Sequence, residues 1–187
     1  MLHSFRSVVA VCAVCTLSLM CSAGMAQEMV DNPAYQSWAK FKPGTTVMLT
    51  NQTDMGGMAM KMDMTYKLAE LTPEKAVVEM TTKMPQAENT TKMEIMAKMK
   101  KEDVKDVAMP PNVKGEAKVL PDEDVKIGDK TYKCKVIEFT SEAQGMKTSG
   151  KSWTCPDMPG QMVKMESKMS GTMEGTMTMV VTSVDTK

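Results

Sequence analysis

The chain is predicted to be mainly β: a single antiparallel curved sheet or half-open barrel of about seven to eight strands, with one short N-terminal helix. Three observations predict it. From Thr45 onward, apolar and polar residues alternate with a period of two. Turn-forming residues punctuate that alternation at short intervals: Gly56-Gly57, Thr72-Pro73-Glu74-Lys75, Pro85-Gln86, Gly128-Asp129, Gln144-Gly145, Pro156 to Gly160, and Gly171. Only one stretch carries a helix start, Asn32 as cap with Pro33 at the first helical position.

Residues 1–26 read as a signal peptide, setting the chain apart as exported, periplasmic or extracellular. A head with Arg6 precedes the apolar run Val8 to Ala23, and Gly24-Met25-Ala26 offers small residues at the cleavage positions. The run is shorter than the roughly 20 residues a spanning helix needs, so a soluble, not membrane-spanning, product is expected after cleavage near Ala26. Lipidation at Cys21 is the alternative, disfavoured by the bulky Met20 before it.

Residues 27–44 form an N-terminal segment in which Tyr35, Trp38 and Phe41 recur every third position and share one helix face. Residues 45–187 form the β domain. Its alternating runs include Val47 and Leu49, Met58 to Leu68, Ala76 to Met84, Thr91 to Met99, Val163 to Met169 and Met173 to Val184. Residues 101–121, with Pro110-Pro111 and mixed charge, break the rhythm and are expected as a crossing loop. Lys-Met-acidic recurs at 61–63, 92–94 and 164–166 with unequal spacing, so it is repeated strand chemistry and not a solenoid.

Composition excludes several function classes. Beyond residue 26 no Arg or His remains, and 22 Lys stand against 23 Asp plus Glu. Without guanidinium groups there is no bidentate phosphate clamp, and near-neutral charge offers no basic face for nucleic acid. Without His, the usual general base and commonest metal ligand are missing. No phosphate loop, nucleophile elbow or zinc spacing occurs, and a non-enzymatic role is expected.

Two hairpins can be set in register. A two-residue turn at Gly56-Gly57 opposes Met55 to Met58, Thr53 to Met60, Asn51 to Met62, Leu49 to Met64 and Val47 to Tyr66. Along this face apolar character fades toward the turn, which places Met64 in the core and Met55, Met58 and Met60 near an open tip. A turn at Gln144-Gly145 opposes Val136 to Trp153, Glu138 to Lys151, Phe139 to Gly150 and Cys134 to Cys155. The last falls on a non-hydrogen-bonded pair, where Cα atoms approach to about 4.5 Å. In an oxidising compartment that register predicts a Cys134–Cys155 disulfide.

The stretch Ile127 to Cys134, followed by Trp153-Thr154-Cys155-Pro156-Asp157-Met158-Pro159-Gly160 and on to Lys164, resembles small bacterial exported β-sheet proteins. In those a strand hairpin ends in a Trp followed by a Pro-Gly turn. More distantly the chain is similar to the lipoprotein-carrier class, whose curved antiparallel sheet wraps a hydrophobic cavity partly plugged by helices. The likeness covers about 40 residues. It implies an exported β domain and a lipid-like ligand, and it transfers no functional residue.

Beyond residue 26 the chain has 21 Met against 4 Leu and 3 Ile. Three readings of that count stand side by side. Flexible thioethers fill a core. Alternatively, Met55, Met58, Met60, Met62, Met64, Tyr66, Met80 and Met93 line a concave face for an apolar small molecule, a lipid or an envelope protein partner. Or Met55, Met58 and Met60 bind Cu(I) or Ag(I), for which thioethers are suitable soft ligands. Sacrificial oxidation to sulfoxide is a variant of the last.

Overall fold

The structure, a computed structural model, describes residues 28–84, 87–101, 114–143, 145–171 and 174–187. The expected signal peptide, Pro85-Gln86, residues 102–113 of the expected crossing loop, Gln144, and Met173 at the start of the expected last run lie outside the described residues. The elements in chain order are β1 (Met29–Asp31), α1 (Pro33–Ala39), β2 (Thr46–Met55), β3 (Met58–Leu71), β4 (Lys75–Met84) and β5 (Ala87–Met96). They continue with β6 (Lys98–Lys100), β7 (Lys114–Ile127), β8 (Lys130–Ala143), β9 (Met146–Thr154), β10 (Met162–Ser170) and β11 (Gly175–Asp185).

Nine strands form one antiparallel sheet in the order β5-β4-β3-β2-β11-β10-β9-β8-β7, and β1 pairs with β6 beside it. The sheet is not closed, since β5 and β7 are its two edges. It curls, because β7 returns to within contact of β11 across three intervening strands. Register shifts between Leu68 and Glu70, Leu120 and Glu123, Met162 and Lys164, and Val181 and Ser183 supply local twist.

Two corrections to the sequence reading concern this sheet. Its strand count exceeds seven to eight. Residues 114–121, expected within the loop, belong to β7 and pair with β8 from Lys114↔Glu142 to Leu120↔Val136. The reason is physical: an edge strand can be exposed on both faces, as at Glu116, Lys118 and Val119, so its short alternation buries no apolar side and sits beside charges and Pro121 as a loop would. Pro121 sits beside the register shift, where a missing N–H is tolerated.

The first predicted hairpin register is present throughout, and the second holds up to Lys135↔Thr154. Met55↔Met58 through Val47↔Tyr66 pair as expected, with Gly56 and Gly57 at φ +60° and +84°. Two consecutive left-handed residues match the twist of the flanking strands, which is why this dipeptide sets the register. Ala143↔Met146 through Val136↔Trp153 follow the second prediction.

The helix forms where its cap requires. Asn32 Oδ1 accepts from Ala34 N at 3.0 Å, and Asn32 Nδ2 donates to Met96 O at 2.8 Å, tying the helix to the end of β5. Tyr35 and Trp38 are buried against the sheet and Phe41 is half-buried. The Tyr35 hydroxyl donates to Thr72 O at 2.7 Å. The core beneath α1 includes Val47, Leu49, Leu68, Val78, Met158 and Val163.

Candidate functional site

The best-formed apolar recess lies where α1 and the turn after Trp153 meet the sheet. Val47 and Leu49 on β2, Tyr66 on β3, Val78 on β4 and Met93 on β5 share one sheet face through the ladder. Above them stand Trp38 from α1 and the segment Pro159 to Met162. Together they border a half-open cavity of about 210 Å3.

The lid is held by the backbone. Cys155 N donates to Gln161 O at 2.8 Å, Met158 N to Cys155 O at 3.1 Å, and Gln161 N to Met158 O at 2.8 Å. Lys40 Nζ donates to Pro156 O at 3.2 Å and links helix to turn. Gly160 has φ +74°, and a Cβ there would stand 3.3 Å from Trp38 Cζ2. Only a glycine combines this left-handed backbone with such close approach to the indole.

Of the eight methionine-face candidates, Tyr66 and Met93 line the cavity. Met80 is directly opposite Tyr66 and half-buried; Met64 is opposite Leu49 and buried; Met62 is half-buried next along the same face. Met55 is half-buried, while Met58 and Met60 are 72% and 61% exposed. The last three sit at the far end of the hairpin. Eight residues separate Met58 from Tyr66, about 27 Å at 3.4 Å per residue. The candidates therefore fall into two groups, one at the covered end and one at the tip.

Burial raises the pKa of the Tyr66 hydroxyl above its ordinary value, so it stays a neutral phenol at the edge of an apolar recess. No cluster of three or more His, Cys, Asp and Glu occurs among the described residues. A larger open depression of about 580 Å3 crosses β8 to β11, but Glu138, Lys151, Glu166 and Lys168 line it with both signs of charge. Phe139 and Met177 also line it, but it lies open to solvent with charged side chains at its wall.

The expected disulfide is not formed. Cys134 and Cys155 are both buried free thiols. Pairing of β8 with β9 ends at Lys135↔Thr154, one residue short of the cysteine pair. Cys134 instead continues opposite Glu123 on β7, and its thiol donates to Tyr132 O at 3.4 Å. Cys155 bends away into the turn through its bond to Gln161. Burial, followed by the neighbouring Cys155 and the carboxylates of Asp124, Asp122 and Glu123, pushes the Cys134 thiol up to about 11. The ladder assumed from sequence was straight; the turn that forms the lid interrupts it.

Trp153, prominent in the motif, is structural. Its Nε1 donates to Glu123 Oε2 at 2.8 Å, and Lys164 Nζ lies 4.6 Å from the ring centroid.

Sequence reasoning missed Trp38, Val47, Leu49, Val78, Pro159, Gly160 and Met162 as cavity residues. The aromatic spacing and the Pro-Gly turn were the available signals, but nothing local says that these two segments meet.

No family model matches the chain, and no curated protein matches it. Among solved structures, it is similar to a provisionally assigned lipoprotein from Parabacteroides distasonis, with TM-score 0.47, 10% identity, and coverage of 82% of this chain and 100% of that one. It is also similar to a provisionally assigned exported protein with a YmcC-like fold from Bacteroides fragilis, with TM-score 0.44, 10% identity, and coverage of 78% and 97%. A DUF1329 family protein from Desulfovibrio piger aligns at TM-score 0.25 and 8% identity, covering 78% and 87%. At this identity they transfer no residue role. No helix among the described residues is long and apolar enough to cross a membrane.

Proposed function

We propose that this is an exported, non-enzymatic protein that binds the apolar chain of a lipid-like molecule on the concave face of its sheet. The observation that carries the reading is the cavity beneath Trp38 and Gly160, bordered along the sheet by thioethers and not by charge. Its roughly 210 Å3 compares with about 30 Å3 for one water in the liquid. That is room for a short length of alkyl chain, below the roughly 300–1,000 Å3 of sites that enclose drug-sized ligands. The remainder of such a chain lies along Met80, Met64 and Met62, whose unbranched side chains repack around varied shapes.

The driving force is apolar burial, about 25 cal/mol per Å2 removed from water. Exposed chain-like ligands suit an open groove because binding need not close the sheet. Native mass spectrometry of the freshly purified full chain, followed by solvent extraction, tests the proposal. A retained adduct that extracts as a single-chain lipid is the expected result. A bare mass, unchanged after incubation with dodecanoate, would sink it.

A further inference from the structure

The methionines at the hairpin tip do not belong to the apolar cavity, and the structure adds a fourth to them. We propose that Met55, Met58, Met60 and Met177 form a thioether site for a soft monovalent cation, Cu(I) or Ag(I).

Met55 and Met58 are directly opposed across the Gly56-Gly57 turn, and Met60 follows Met58 at the next position on the same face. On the other side of β2, Thr53 lies between Met60 on β3 and Met177 on β11. Met55 faces Gly175, which has no side chain, and its Cγ is 3.3 Å from where a Cβ of Gly175 would stand. Met55 therefore leans over the glycine toward the strand that carries Met177.

Opposed Cα atoms in a ladder are about 4.5–5.5 Å apart, and alternate residues on a strand about 7 Å. Three rotatable bonds in each Met side chain can bring sulfurs from such positions to one centre. Met58 and Met60 are mostly exposed, so they give up little packing when they turn to a ligand.

Chemistry selects the ion. Thioethers are neutral and soft, which favours Cu(I) and Ag(I) over hard or borderline cations. Neighbouring ladder positions on this face include Thr53, Gly175, Ser167 and, opposite Gly175, Met169, and none of these carries an ammonium. On the reverse face Asp54 and Asp63 contribute negative charge near the tip, partly offset by Lys61. An apolar patch so far from the cavity is left unexplained by ligand binding there, and a cation gives it a role.

Titration of the full chain with Cu(I) against bicinchoninate, in reducing buffer, tests the site. The wild type should capture one equivalent from the chelator. Replacing Met55, Met58 and Met60 together with Leu should weaken capture at least tenfold while leaving the circular dichroism spectrum unchanged. Met177→Leu alone should weaken it severalfold. Capture should be flat between pH 5.5 and 7.5, because thioethers bind no proton in that range whereas thiolate ligands must lose one. No capture by the wild type would overturn the proposal. So would capture that survives the triple substitution and strengthens with pH, which would assign copper to Cys134 and Cys155. Dodecanoate binding is unaffected by the triple substitution if the two sites are separate, so failure here leaves the apolar reading standing.

Discussion

The two ends of the β2–β3 hairpin are built from one residue pattern and differ in what covers them. At the lower end Val47, Leu49 and Tyr66 line the recess beneath Trp38 and the turn at Pro159 to Met162, and Val47 and Leu49 are each only 3% exposed. At the upper end Met55, Met58 and Met60 continue the same alternation, and among the described residues no helix covers them. The same residue type is thus core at Met64 and open surface at Met58 along one strand. Alternation says which face a side chain takes; a second segment decides whether that face is dry.

The comparison predicts a steep gradient of mutational cost along the hairpin. Trp38→Ala removes the indole that roofs the lower end and should cost about 3–5 kcal/mol in urea denaturation. A loss below 1 kcal/mol would mean that α1 does not hold the core. Thiol chemistry at the same end should be strongly suppressed. Cys134, ordinarily near 9.0, is pushed up to about 11, so near pH 8 its thiolate fraction drops about a hundredfold. Alkylation in native buffer should be slow and should yield two modified thiols after unfolding without reductant; no modified thiol would show a bond between the cysteines. Because the folded thiol holds its proton more tightly, its contribution to stability is full below pH 9 and is lost as pH rises through 11. The urea midpoint should therefore be lower at pH 10 than at pH 8.

Asn32→Ala removes the helix cap and the bond to Met96 O. About 1 kcal/mol should be lost, with the loss appearing at α1 and the end of β5. Smallest of all is the tip. Met58→Thr, at a position 72% exposed, should change stability by no more than about 0.5 kcal/mol. A cost like that of Trp38→Ala would show that the tip is covered in solution.

Much of this gradient is visible in the chain before folding. Alternation plus Gly56-Gly57 places Met64 inward and Met58 at an edge, and Asn32-Pro33 marks the helix. What stays hidden is long-range. Nothing in residues 45–55 says that β2 takes β11 as its second neighbour, so Met177 could not be joined to Met55 and Met60. The cavity draws on Trp38, Val78 and Gly160, each sensible locally and related only through the folded sheet. β7 escaped because its first half is exposed on both faces, at Glu116, Lys118 and Val119, and ends in Pro121, so nothing there marks a buried side. The cysteine pairing failed for a related reason: register propagates along a ladder only until a turn such as 155–161 begins.

The central claim is that the covered end, not the tip, receives an apolar chain. Met93 borders the cavity from β5, half-buried and opposite Val78, so Met93→Trp fills the recess from its edge while keeping an apolar side chain against the core. Calorimetric titration with dodecanoate should show binding to the wild type and to the triple tip variant, and at least tenfold weaker binding to Met93→Trp. Equal affinity in all three proteins, with Met93→Trp folded, would contradict the account.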